Sequence, residues 1–430
     1  MVTFKSLGKS SETKDLESSI VKPLCADPPV ETKQFRIIGS GTSAQVPHMS
    51  CLLTGFTRRD GLPCTTCEEA WRNSGSKNRR FNTSAAIDRD LAGVYKKMIM
   101  FDCGKSFREA VANNIARYGG REIEGVVLTH LHEDAVAGLG ELREYRSIQD
   151  AVDIYLTETT FKAVTKARPY FDSRSVEYEN GPKEGQKNDQ GETAEPKTFV
   201  SRIRWHIIDE NYPFRVGETW LTPLPVHHGF NGGGEPFICL GFKVDGRSYI
   251  SDCHHIPLET TKLIDGSHTI VLDALSWKKH FSHFSIHQAL SYAYSFSTRD
   301  GVQTLPQRVI LTDLTHDFEH HATNQELRAH GDALRAWAYN KFVVQGDHLT
   351  GDEGVGEAGG LRWWDGAWKD DISSDGTPGL KLTGEAADFK IPSMPSSPPL
   401  GPFKVKESKT GRELTIHVPE VLLAYDDMIF

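Results

Sequence analysis

The stretch "VVLTHLHEDAVAGL", residues 126–139, decides how this chain is read. His130, His132 and Asp134 carry the H-x-H-x-D spacing of a metal site. Two residues apart, the histidines cannot share a helix face. They must lie where a strand ends, with both rings turned into one cavity. The apolar run "GVVLT" is that strand, and Asp134 stands where the next helix begins. Taken alone, the pattern fits a capping aspartate and two exposed loop histidines just as well.

Three further features change the odds. Each places an acid or a histidine directly after an apolar strand. "FDCG" puts Asp102 there, "LTPLPVHHG" puts His227 and His228 there, and "YISDC" does the same for Asp252. Strand ends converge on one edge of a sheet, so these residues can meet despite their separation in sequence. Imidazole nitrogens with carboxylates suit zinc, and also manganese or iron.

The rest of the chain fits an enzyme-sized globular protein. At 430 residues, length alone allows two or three domains, and 38% hydrophobic residues suit a folded chain with substantial loops. No apolar run approaches the roughly 18 to 20 residues that span a bilayer, so no membrane partner is expected. The opening "MVTFKSLGKSSETKDLESSI" lacks a signal-peptide stretch and contains acids, which predicts a cytoplasmic or nuclear address. The net charge is −9, and the only basic cluster is the short "KNRR" at 77–80. A broad nucleic-acid surface needs concentrated positive charge, so none is expected. Seven cysteines in an intracellular chain read as thiols or metal ligands before disulfides.

Short apolar runs alternate with turn signals from "KQFRIIGSGTS" onward. Strands are expected at 35–38, 97–101, 125–129, 154–157, 221–226, 238–244, 248–251, 269–272 and 308–312, with "VDGRS" as a hairpin turn. Helices are expected at 106–119, 133–145, 285–297 and 324–340. Residues 1–33 read as a mobile tail and 34–345 as the domain that carries the candidate metal site. Within that domain the charged segment 177–198 reads as a disordered loop. Residues 346–413, rich in Gly, Ser and Pro, read as an irregular insertion, and 414–430 return as a terminal strand. The alternation predicts α/β layers with helices outside the sheets.

This constellation resembles the metallo-β-lactamase superfamily, from about Phe35 to Thr323 and again at the terminal "LAYDD". The resemblance implies an αββα sandwich with metals at one edge of the sheets. One metal takes His130, His132 and His228, the histidine directly before the glycine being chosen over His227. Asp252 bridges to a second metal held by Asp134, and Asp102 orients the histidine loop. "GSGTSAQVPHMSC", "CTTC", "NRRFNTSAAI", "LTHLHEDAVAGL" and "LTDLTHDFEHH" look like the phosphoribosyl cyclic phosphodiesterase (PhnP-like) branch. That branch carries a structural zinc, which implies Cys51, Cys64, Cys67 and His316 here. Read from the residues, Cys64-x-x-Cys67 is a thiolate knuckle, and three cysteines with one histidine close a tetrahedral site.

The family's H-x-H-x-D is followed by a second histidine, and here that position is Ala135. The family's late metal-binding histidine aligns with Asp313. Either Asp134, Asp252 and Asp313 hold a harder ion such as Mn²⁺ or Mg²⁺, or one metal works alone. The family pattern makes His283 the general acid, leaving His280 and His287 as ordinary surface or helix-face residues. His283 and Asp134 are thus the expected catalytic residues. The expected function is a metal-dependent phosphodiesterase acting on a small cyclic, sugar or nucleotide phosphodiester, using Zn²⁺. The alternatives are a nuclease of the tRNA 3′-end-processing kind and a non-catalytic binding protein of the same fold.

Overall fold

The computed structural model describes residues 31–92, 94–171, 176–179, 201–298, 305–349 and 401–430, with short pieces at 362–364, 380, 382–383 and 386–387. Residues 1–30, most of the expected loop 177–198 and most of the expected insertion 346–413 lie outside the described residues.

β1 (Glu31–Gly39) leads through α1 (Met49–Leu53) and α2 (Thr65–Arg72) to the hairpin β2 (Ser84–Leu91) and β3 (Tyr95–Phe101). α3 (Phe107–Tyr118), β4 (Glu122–Val127), α4 (Glu133–Val136), β5 (Val152–Thr157), α5 (Glu158–Ala167), β6 (Val176–Tyr178) and β7 (Ile203–Ile208) follow. These strands form one sheet in the order β1-β2-β3-β4-β5-β7-β6. The second half begins with β8 (Phe214–Val216), β9 (Thr219–Phe230), β10 (Pro236–Val244), β11 (Arg247–Ile250), α6 (Leu258–Ile264) and β12 (Thr269–Asp273). It continues with α7 (Ile286–Tyr294), β13 (Arg308–Thr312), α8 (His320–Tyr339), β14 (Phe403–Lys406), β15 (Glu413–Ile416) and β16 (Glu420–Leu423). Here the order is β16-β13-β12-β11-β10-β9-β8, with β14 and β15 pairing as a separate hairpin.

Both central sheets are buried on two faces, so their strands read as continuous apolar runs. In β3, Met98 and Met100 face the helices while Ile99 and Phe101 face the other sheet. Phe101 stacks on Phe242 and Tyr249 across the sandwich, each at 5.4 Å between ring centroids. Leu290, Leu311 and Trp337 lie in the core under the outer helices of the second sheet. The result is the αββα sandwich that the sequence leads one to expect.

The elements differ from the sequence reading in ways that have local causes. The expected helix at 133–145 is α4 followed by a 3-10 stretch, Ala137–Ser147, where Gly138 is pressed against Gly104. α8 starts four residues before its expected position because the Glu319 carboxylate accepts from the Ala322 N–H and caps it. β2, β7 and the β14–β15 hairpin were not expected. β2 carries "DRD", whose charges are buried in pairs such as Arg36–Asp88, and β14 falls inside the expected irregular insertion while β15 takes up the start of the expected terminal strand. The C-terminal residues join both sheets. β16 runs parallel to β13, after which Phe35 and Phe430 exchange backbone hydrogen bonds at the β1 edge.

β3, β4, β5 and β7 run parallel, as do β11, β12, β13 and β16. Their C-terminal ends therefore lie at one edge of the sandwich, where open α/β sheets carry their sites.

Candidate metal centres

His130 follows β4 and His132 caps α4 without using its side chain. His228 lies near the end of β9. The three rings stand 4.6 to 5.2 Å apart, centroid to centroid, and mostly edge-on. His132 Nδ1 and His228 Nε2 are 3.2 Å apart. His227 points elsewhere, toward His255 at 5.1 Å.

Hydrogen bonds fix which nitrogens remain free. His228 Nδ1–H donates to the Ser282 carbonyl at 2.8 Å. His130 Nδ1 meets Thr129 Oγ1 at 2.8 Å, and that hydroxyl reaches Asp102 Oδ2 at 2.9 Å. If Thr129 donates to the carboxylate, it accepts from His130 Nδ1–H, and the proton order along the relay is set. His130 Nε2 is left buried with no partner. Burial keeps His130 and His228 from protonating, pulling them down to about 3 and about 4. Neutral imidazoles with their second nitrogens anchored in this way are what a metal requires of its ligands.

The carboxylates surround this set. Asp252 follows β11, and its oxygens lie within 4.8 Å of ligand nitrogens on His130, His228 and His283. Burial opposes its ionisation, but the surrounding imidazoles hold the carboxyl down to about 2. Asp134 Oδ1 lies 3.9 Å from His130 Nε2 and is buried without a hydrogen-bond partner. Burial and then Asp252 push its pKa up, the direction expected of a carboxylate awaiting a cation. These orphaned atoms fit a divalent ion.

Ala135 is 2% exposed and packs in the apolar cluster with Val136 and Leu139. Asp313 follows β13 in a left-handed conformation, φ 60°. Its Oδ2 lies 3.1 Å from His283 Nδ1, and Thr83 Oγ1 donates to its Oδ1 at 3.3 Å. The same His283 nitrogen meets Asp273 Oδ2 at 2.9 Å. Burial would keep this histidine neutral, but the two carboxylates push its pKa up to about 12. Asp273 and Thr129 did not emerge from the sequence reading. Asp273 could have been found, since it follows the apolar run "TIVL" as Asp102 and Asp252 follow theirs. Thr129 carried no signal of its own. His280 is exposed, 5.3 Å from the His283 ring. His287, in contrast, is a buried residue beside Trp277 rather than a surface one.

A second cluster lies apart. His316 Nδ1 sits 3.2 Å from Cys51 Sγ and 3.4 Å from each of Cys64 and Cys67. Ligands about 2.0 to 2.3 Å from a tetrahedral zinc are separated by roughly 3.3 to 3.8 Å. The four atoms are therefore already at ligand spacing. The "NRRFN" stretch ties this knuckle to the late loop. Arg80 donates to the carbonyls of Thr315 and Phe318, and the His320 N–H donates to Asn78.

Residues 97–304 match the family described as a beta-lactamase superfamily domain. An octanoyltransferase of Porphyromonas gingivalis is 25% identical over 256 residues, 59% of this chain and 42% of that protein. The chain thus matches less than half the length of this relative. Among solved structures, a diphosphatase of the PhnP family has a TM-score of 0.49 and 22% identity, covering 69% of this chain and 92% of its own. Zinc-bound PqqB of Methylobacterium extorquens has a TM-score of 0.45 and 17% identity, covering 66% of this chain and 90% of its own. The matched residues 97–304 span much of the two seven-stranded sheets and the histidine-rich edge between them, and it is to this superfamily domain that they are similar.

Proposed function

We propose that this protein is a metal-dependent phosphodiesterase for a small cyclic, sugar or nucleotide phosphodiester. One observation carries the reading. His130, His132 and His228, the first and last anchored by hydrogen bonds, converge with Asp252 beside His283, which faces the carboxylates of Asp273 and Asp313.

His130, His132 and His228, with Asp252, would hold zinc. Bound there, zinc supplies a nucleophile from water at neutral pH and polarises the oxygen under attack. Asp134 and Asp252 offer oxygen donors to a second, harder ion such as Mn²⁺ or Mg²⁺. Cys51, Cys64, Cys67 and His316 would hold a structural zinc. His283 Nδ1 is occupied by Asp273 and Asp313, leaving Nε2 as its free donor. A leaving alkoxide is about as basic as hydroxide, whose conjugate acid has a pKa of roughly 15.7. An imidazolium is a stronger acid than the alcohol formed, so proton transfer from His283 to the alkoxide is downhill. Thr129 and Ser282 keep the ring orientations of His130 and His228 fixed while charge develops.

The test is metal analysis of the purified protein, followed by turnover of bis(p-nitrophenyl) phosphate and cyclic ribose phosphates. His132→Ala should lose both hydrolysis and metal from this site. Zinc found only at the cysteine site would replace this reading with a binding protein of the same fold. Cleavage of tRNA precursors in preference to small diesters would favour a nuclease, which the net charge of −9 disfavours.

A further inference from the structure

The edge of the site nearest solvent is lined by phenylalanines. Phe237 lies flat on His132, centroids 5.1 Å apart and planes 16° from parallel. Phe230, 59% exposed, follows Gly229, which itself follows His228. Phe281, 72% exposed, comes from the opposite loop, and its ring lies 3.7 Å from where a Cβ on Gly229 would sit. The three rings therefore border the same few residues around His228. Phe281 also neighbours His280 at 4.5 Å, and Phe230 neighbours His254 at 5.2 Å.

This lip is aromatic, with Lys278 and Lys279 exposed on the same loop just before His280 and Phe281. Single exposed phenylalanines are ordinary on protein surfaces. Two of them straddling a glycine beside a metal-binding histidine, with a third stacked on another, form a local exception. An open ring face beside a phosphoryl site suits a second flat ring, because base–aromatic stacking tolerates any base identity.

We propose that Phe230 and Phe281 form a stacking lip that selects phosphodiesters bearing a nucleobase over base-free sugar phosphodiesters, with Phe237 as its floor. The inference deepens the phosphodiesterase reading and rests on it for the turnover arm alone. Gly229, with φ 75°, leaves room for the Phe281 ring beside it while the chain turns on into Phe230. A side chain there would be strained and would meet Ser282 at 3.1 Å.

The experiment has a binding arm and a turnover arm, both on the full-length metal-loaded protein. In titration calorimetry, AMP should bind about fivefold more tightly than ribose 5-phosphate, the low end of what one stacked base contributes. Phe230→Leu/Phe281→Leu keeps apolar bulk but removes the rings, and should abolish that advantage. In turnover, the ratio of kcat/KM for 2′,3′-cyclic AMP to that for a base-free cyclic ribose phosphate should fall by a similar factor in the double variant. Phe281→Trp should keep the preference. Equal affinity for the two ligands in the wild type overturns the inference, as does an advantage that survives loss of both rings. If the binding preference holds but no diester is hydrolysed, the phosphodiesterase reading fails and the lip stands.

Discussion

Asp313 Oδ2 lies 3.1 Å from His283 Nδ1, so the acid at the family's late histidine position faces another side chain of the site. The pairing bears on the missing histidine at Ala135. A position that would give a ring to a second ion instead helps to hold an imidazolium, and Ala135 itself packs among aliphatic residues. Asp313→Asn separates the two roles. If the acid serves His283, turnover should fall by at least about tenfold while metal stoichiometry stays at the wild-type value. Loss of one ion per chain, read by elemental analysis, would instead make Asp313 a ligand.

The relay behind His130 invites a gentler change. Thr129→Val keeps the shape and removes the hydroxyl that joins Asp102 to His130 Nδ1. Supporting hydrogen bonds of this kind typically contribute 10- to 100-fold to metal affinity. Competition with a chromophoric chelator should show a loss of about that size. Unchanged affinity would mean that the relay does not tune His130.

Cys67→Ser probes the knuckle. Cys67 Sγ accepts from the His48 N–H at 3.2 Å and faces His316 Nδ1 at 3.4 Å. Binding energy at a structural zinc is folding energy, so the melting temperature should drop and one zinc per chain should be lost. Because His316 lies three residues beyond Asp313, turnover in the folded fraction should fall only as far as that loop shifts. A full zinc count would show the thiol to be no ligand.

Stability should depend on alkaline pH through His206, far from the metals in sequence. Its ring lies between Asp153 Oδ1 at 2.8 Å and Glu179 Oε1 at 2.5 Å, with Glu177 at 3.8 Å, Arg204 on the same Asp153, and Tyr155 stacked at 4.5 Å. Burial opposes the charge, but the carboxylates raise the pKa from the ordinary 6.5 of a histidine to about 9. A raised folded-state pKa stabilises fully below the unfolded value and is lost as pH climbs through the folded one. Denaturant midpoints should therefore fall between about pH 6.5 and 9. His206→Gln should flatten that slope, and an identical slope in the variant would remove His206 as its source.

The sequence by itself determined the layers and pointed to histidines and acids at the ends of their strands. Apolar runs ending in His130, His228, Asp252 and Asp102 are legible because a strand buried on both faces must be continuously apolar. An acid or imidazole just past it then marks an edge. Only the tertiary structure decided which of these side chains meet. The partner of His283 is one example. Asp273 and Asp313 lie 10 and 30 positions away in sequence and come together because β12 and β13 are parallel neighbours. The knuckle is another, since Cys51 and His316 are 265 residues apart and no spacing rule reaches so far. β2 escaped notice for a related reason. Its Arg89 and Asp88 are charged in sequence and buried in the fold, and partners from elsewhere in the chain, Glu31 and Glu124 for Arg89 and Arg36 and Arg121 for Asp88, make that burial tolerable.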